Sequence, residues 1–117
     1  MKRINILMII MLLIVACKQN DSEIKTLLQS KDFQDRIEGA YKAGEAGKIE
    51  FIPYLLENAD DPVTSSDWRF LGVSVYQEKM IALKKILKTE PPVKITRDPD
   101  SLVIRFYTKA AAKYINK

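Results

Sequence analysis

Three short clusters in the chain have residue types and spacings that could do chemistry. Ser22-x-x-Lys25 has the spacing of a serine nucleophile and its lysine partner. No Ser-Asp-Asn or Lys-Thr-Gly partner accompanies it, so the match is a chance one. Asp98-x-Asp100 begins like a calcium loop, but Pro99 intervenes, no third Asp or Asn follows, and the loop glycine is missing. A helix-capping turn is the better reading. Asp60-Asp61 could act as a carboxylate pair, yet Pro62 follows, and that triplet is the chemistry of an inter-helix turn. Gly39, Gly44, Gly47 and Gly72 form no phosphate-cradling cluster. The chain has no His, the commonest general base and metal ligand. Its single Cys, Cys17, excludes an internal disulfide and every zinc pattern built on Cys pairs. The expectation is a protein with no catalytic residues, no cofactor and no metal, and not an enzyme.

The elements that would position any site are helical by period. At 117 residues the chain is one domain's worth, with one modest core. Residues 22–29 place apolar groups at 24, 27 and 28, one face of a short helix that Asp21 or Ser22 can cap. Residues 32–43 carry the stripe Phe33, Ile37, Ala40, Tyr41, Gly44, with Ser30 or Asp32 as cap and Gly44 to Gly47 as stop. A third helix is expected over 49–59, with Pro53 in its opening turn and Asp60-Asp61-Pro62 closing it. The second and third read as an antiparallel hairpin. Residues 63–72 read as a short or broken helix with bulk from Trp68, Phe70 and Leu71. Ser74 and Gln77 form a capping box for a helix to about Lys88, with Tyr76, Met80, Leu83 and Leu87 on one face. Residues 93–96 read as an extended linker. Asp100 or Ser101 caps a last helix whose expected apolar face is Leu102, Val103, Phe106, Tyr107, Ala110 and Tyr114. The fold class is all-α.

The N-terminus is of another kind. Met1-Lys2-Arg3 is cationic, and residues 6–16 are an unbroken apolar run. Eleven helical residues span about 16 Å, roughly half the hydrocarbon thickness of a bilayer. That layout fits a secretory signal better than a membrane span. Ile14-Val15-Ala16-Cys17 resembles the lipobox of bacterial lipoproteins. The resemblance implies diacylglycerol on the Cys17 thiol, cleavage before Cys17, and a further acyl chain, such as palmitate, on the new amino group. Two or more acyl chains give stable membrane residence. Residues 1–16 would then be a signal peptide, 17–22 a lipid-anchored tether and 23–117 the helical domain. Lys18 after the Cys favours the outer membrane over the inner. The remaining 101 residues would carry a net charge of +2 instead of +4.

A second resemblance covers residues 31–89. Arg36, Ala40, Gly44 and Gly47, then Ile52-Pro53-x-Leu55-Leu56 and Asp60-Asp61, resemble one unit of a HEAT-like repeat of the bacterial phycobilin-lyase type. A degenerate second unit would take Trp68-Arg69 as a shortened first helix, with Ala82, Leu83, Ile86 and Leu87 in its second. The resemblance implies a short α-α superhelix of helical hairpins with a terminal capping helix and an exposed binding surface; it does not imply lyase activity.

Charge is distributed unevenly. Residues 18–67 carry a net −5 and residues 68–117 a net +7. Lys79, Lys84, Lys85 and Lys88, with Lys109, Lys113 and Lys117, form a cationic set suited to lipid headgroups or an acidic partner. An exported protein rarely meets nucleic acid, so none is expected. The resulting expectation is an exported, lipid-anchored envelope lipoprotein. Its partners would be the membrane, through Cys17, and another envelope protein, met through Trp68, Tyr76, Lys84, Lys85 and Lys88. It would act as a non-catalytic binding or scaffolding module. Alternatives are an accessory subunit or small hydrolase of the envelope, or an inhibitor or immunity-type lipoprotein.

Overall fold

The structure, a computed structural model, describes residues 20–115. The signal segment, the first half of the expected tether (residues 17–19, with Cys17) and Lys117 lie outside the described residues; the second half of that tether, residues 20–22, is helical. The described chain opens in helix α1 (residues 20–28), whose Ile24 and Leu28 are buried. Helix α2 (Phe33–Ala46) follows. Asp32 caps it, its Oδ1 accepting from the Gln34 N–H at 3.0 Å. Gly47 ends it in the left-handed region, φ 67°, with its N–H returned to the Ala43 carbonyl at 3.1 Å.

The third helix is shorter than its apolar spacing suggests. A 3-10 turn (Ile49–Phe51) leads into α3 (Ile52–Leu56), with Pro53 in the opening turn. Glu57 then leaves helical geometry and Asn58 adopts φ 50°. The Glu57 carbonyl accepts from the buried Lys79 ammonium at 2.7 Å instead of a following N–H. Ala59, expected as a helical residue, reaches the core from a turn.

Residues 63–72 are not helical. The chain pairs with itself: the Ser65 N–H donates to the Val73 carbonyl (2.8 Å) and the Val75 N–H to the Val63 carbonyl (3.0 Å). Ser65 Oγ accepts from the Asp67 N–H, and Asp67 Oδ1 from the Arg69 N–H, both at 3.0 Å. Short polar side chains that take backbone donors compete with the helix for them. The expected second HEAT-like unit therefore lacks its first helix.

Helix α4 (Val75–Leu87) is the centre of the fold, packing on α2, α3 and the last helix. Ser74 caps it and ties it to the returning chain: Oγ accepts from the Gln77 N–H (3.0 Å) and donates to the Arg97 carbonyl (2.6 Å). Tyr76, Met80 and Leu83 are fully buried. Glycines set the distances to its neighbours. A methyl group at Gly44 would stand 3.0 Å from Ala82 Cα, and one at Gly39 would stand 2.9 Å from the Leu28 backbone nitrogen. Helix α2 is thus held closely between α1 and α4.

Residues 88–100 carry no regular element and return the chain toward the start of α4, as the Ser74–Arg97 bond shows. Helix α5 (Ser101–Ile115) then runs in the same direction as α4, with Asp100 Oδ1 accepting from the Leu102 N–H at 2.9 Å. Tyr107 donates its hydroxyl to the Thr89 carbonyl beyond the end of α4, at 2.9 Å. The buried face of α5 is Val103, Tyr107 and Ala111, while Leu102 and Tyr114, expected inside, are exposed. Periodicity defined a wider stripe than α4 and α3 could cover. The fold is all-α, and no described helix is long and apolar enough to cross a membrane.

Candidate binding surfaces

The five expected partner-contact residues divide into four at the surface and one inside. Tyr76 is completely buried, and burial pushes its phenol above the ordinary value. It packs the core and reaches no partner from there. Lys84 pairs with Glu90 at 3.1 Å and Lys85 with Glu45 at 2.7 Å. The Glu45 carboxylate beside Lys85 raises that ammonium's pKa. Lys88 is exposed at the C-terminal end of α4, in a left-handed conformation of φ 52°. Trp68 is 85 % exposed.

Trp68 does not stand alone. Leu71, three residues on, is 72 % exposed, and both belong to a loop anchored along its length. Besides its pairing with Val73, Ser65 donates its hydroxyl to Gln34 Oε1 at 2.6 Å. Arg69 is paired with Asp67 (3.1 Å) and Glu38 (3.5 Å). The Arg69 guanidinium hydrogen-bonded to Asp67 lowers that carboxyl's pKa, and the carboxylate raises the guanidinium's in return. Between the two outward residues, Phe70 turns inward and its ring lies 5.5 Å from that of Tyr41 on α2. Lys85 sits over the other ring of this pair, 5.5 Å from the Tyr41 centroid. The loop therefore holds a Trp and a Leu in water on a braced support. Composition flagged Trp68; Leu71 was legible only as bulk, because its exposure depends on Phe70 taking the inward place.

A second surface lies between α4 and α5. A concavity of about 440 Å³ is lined by Leu87, Phe106, Lys109, Lys113 and Tyr114, with Thr89 at its edge. Lys113 lies over the Tyr114 ring at 5.2 Å. This mixture of apolar floor and cationic rim is complementary to an acidic, partly apolar segment. Lys88 lies at the same end of α4.

A cleft of about 790 Å³ opens where the end of α1, α2, α3 and α4 approach one another. Arg36 spans it, bonded to the Ser30 carbonyl (2.8 Å) and to Asp61 Oδ2 (3.1 Å). Lys79, expected on the cationic face, turns inward here. Burial chiefly, then the charge of Arg36, lowers its pKa, while Asp61 and Glu57 oppose that shift. Glu78 is also buried, which raises its carboxyl, but its charged neighbours are Lys85 and Glu45 on the other side of α4. Consecutive residues on a helix point about 100° apart, so Glu78 and Lys79 make no joint acid–base site. Ser22 and Lys25 are likewise apart in role: Lys25 pairs with Glu50 at 3.4 Å. No group of three potential metal ligands occurs among the described residues. Comparisons with protein-family models, curated proteins and solved structures found no match.

Proposed function

We propose that this protein is an envelope lipoprotein, anchored by acyl chains on Cys17, whose helical domain is a non-catalytic binding module for another envelope protein. The observation that carries the binding reading is the concavity between α4 and α5, lined by Leu87, Phe106 and Tyr114 together with Lys109 and Lys113, with Lys88 next to Leu87 in the chain. An acidic, apolar-tipped segment of a partner would meet opposite charge at the rim and an apolar floor at the centre. The anchor reading rests on Ile14-Val15-Ala16-Cys17 at the end of the apolar run. The Arg36–Asp61 pair joins the start of α2 to the turn after α3, and Pro53 opens α3, which supports a HEAT-like reading of residues 36–61; the close approach of Gly44 and the main packing of α2 are to α4, not to α3.

The test is photo-crosslinking in intact cells with a crosslinkable residue at Lys88 or Lys113. The expected result is one discrete protein adduct at both positions, absent when the residue is placed at exposed Thr108. Loss of that adduct in a Lys109→Glu/Lys113→Glu variant would tie it to the concavity. No adduct at either position, or the same adduct at all three, would sink the binding reading. The anchor is tested separately: Cys17→Ala should lose lipid-dependent partitioning into detergent.

A further inference from the structure

The Trp68 loop differs from the α4–α5 concavity in three ways that bear on what it touches. First, its contact area is small. A Trp and a Leu offer at most about 400 Å² together, against about 800 Å² per partner in a stable protein interface. Second, the charges at its base are paired. Asp67 pairs with Arg69, Arg69 with Glu38, Glu38 with Lys42 and Lys42 with Glu23, three carboxylates to two cations, so no excess of cations draws the loop to anionic lipid. Third, the same chain of ion pairs fixes where the loop lies. Three successive contacts of 3.2, 3.6 and 3.5 Å lead from Glu23 on α1 through Lys42 and Glu38 to Arg69 in the loop. Arg69, which lies between Trp68 and Leu71 in the loop, is thereby tied to the surface that carries the start of α1. Two residues separate Cys17 from Asn20, and the three chain steps between them span at most about 10 Å.

We infer that this loop is a second membrane contact: Trp68 and Leu71 seat in the interfacial layer of the bilayer that holds the Cys17 acyl chains. The inference rests on the lipid anchor proposed above. Two side chains are too little to recruit a free protein to a membrane. An acyl tether, however, holds the loop at a high effective concentration of lipid, where weak affinity suffices. Trp belongs at this depth because its ring is apolar and its indole N–H can bond to headgroups. A loop already fixed by Ser65, Asp67 and Arg69 loses little conformational freedom on docking. With its base charges paired, the contact needs no anionic lipid. Docking would orient the domain on the membrane, with α4 and α5 left for a partner.

Trp68 is the sole Trp in the chain, so its fluorescence reports on this loop alone. The acylated protein, purified from cells and checked for lipid on Cys17 by mass spectrometry, is reconstituted into phosphatidylcholine vesicles. The expected result is flotation with the vesicles, quenching of Trp68 by bromine-labelled acyl chains, and protection of Trp68 from iodide. Leu71→Asp should still float through its acyl chains but lose most of the bromolipid quenching. Adding phosphatidylglycerol should change the quenching less than twofold. Acylated protein that floats while iodide reaches Trp68 freely, with no bromolipid quenching, overturns the loop contact and leaves the anchor standing. Protection from iodide without bromolipid quenching also overturns it, in favour of a protein occupant. Absence of lipid on Cys17 together with absence of flotation removes both. Quenching that requires anionic lipid overturns the neutral, apolar contact described here.

Discussion

Replacing Gly39 by Leu isolates the close approach on which the seat of α1 depends. A Cβ at position 39 would lie 2.9 Å from Leu27 Cβ, 2.9 Å from the Leu28 backbone nitrogen and 3.1 Å from the Leu27 carbonyl carbon. Two of those three atoms are backbone, so no rotamer change relieves the overlap, and α1 must move as a body. A full isobutyl group leaves no room for partial adjustment. The energy at stake is then the docking of α1 itself, chiefly the burial of Ile24 and Leu28, each only 5 % exposed. At about 1.5–3 kcal/mol per side chain, that is about 3–6 kcal/mol. Against it stands the better helix propensity of Leu over Gly, about 0.8 kcal/mol. The net loss is about 2–5 kcal/mol, equivalent to a fall in melting temperature of roughly 10 °C or more for a domain of this size. Thermal unfolding followed by circular dichroism measures the total. Native-state hydrogen exchange shows where it falls: amides of residues 20–28 should lose protection first, while those of α4 keep theirs. A variant as stable as the parent, or one in which α4 opens together with α1, would refute the reasoning.

Two further outcomes follow from buried polar groups. Ser74→Ala removes both the cap of α4 and the donor to the Arg97 carbonyl, and should cost about 2–3 kcal/mol by urea unfolding. The exposed cap variant Asp32→Ala should cost about 1 kcal/mol; equal losses would mean that the Arg97 bond carries no weight. Burial raises the Glu78 carboxyl above its ordinary 4.5, so the folded state holds that proton more tightly than the unfolded state. The contribution of Glu78 to stability is therefore greatest below pH 4.5 and falls as pH rises from there through the raised value. Glu78→Gln should flatten that fall, and a stability difference between parent and variant that stays constant from pH 4 to 7 would count against the burial effect.

Much of the helical framework was legible from residue types alone. Asp32 and Ser74 do cap α2 and α4, Gly47 does end α2, and Pro53 does open α3. Each is a local matter of one side chain or ring meeting backbone groups within a few residues. Residues 63–72 show the limit of such reasoning. Thr64, Ser65, Ser66 and Asp67 carry the chemistry of a helix cap, and the same side chains equally build turns. Which they do is decided by the Val63 and Val73 carbonyls accepting from the Val75 and Ser65 N–H groups across the loop, and by Gln34 accepting from the Ser65 hydroxyl. The candidate surfaces divide in the same way. Trp68 and the lysines of α4 were visible as residues, but nothing local distinguished Trp68, almost wholly in water, from Tyr76, almost wholly out of it.

By itself the sequence determined that this chain is helical, that Cys17 stands at the end of an apolar run, and that acidic residues precede basic ones. Each of these is a property of types and order. Tertiary packing decided the rest. It chose the buried face of α5, because α4 and α3 cover only the strip of Val103, Tyr107 and Ala111. It drew Lys79 into the cleft beside Glu57 and Arg36 and left Lys84 and Lys85 outside in ion pairs. It also tied Arg69 of the Trp68 loop to the surface of α2 and α1, through ion pairs linking residues 23, 42, 38 and 69. Glu38 and Lys42 are related by the i,i+4 spacing of α2, but Glu23 and Arg69 are far from them along the chain, and only the crossing of α1, α2 and the loop brings their charges within a few ångströms.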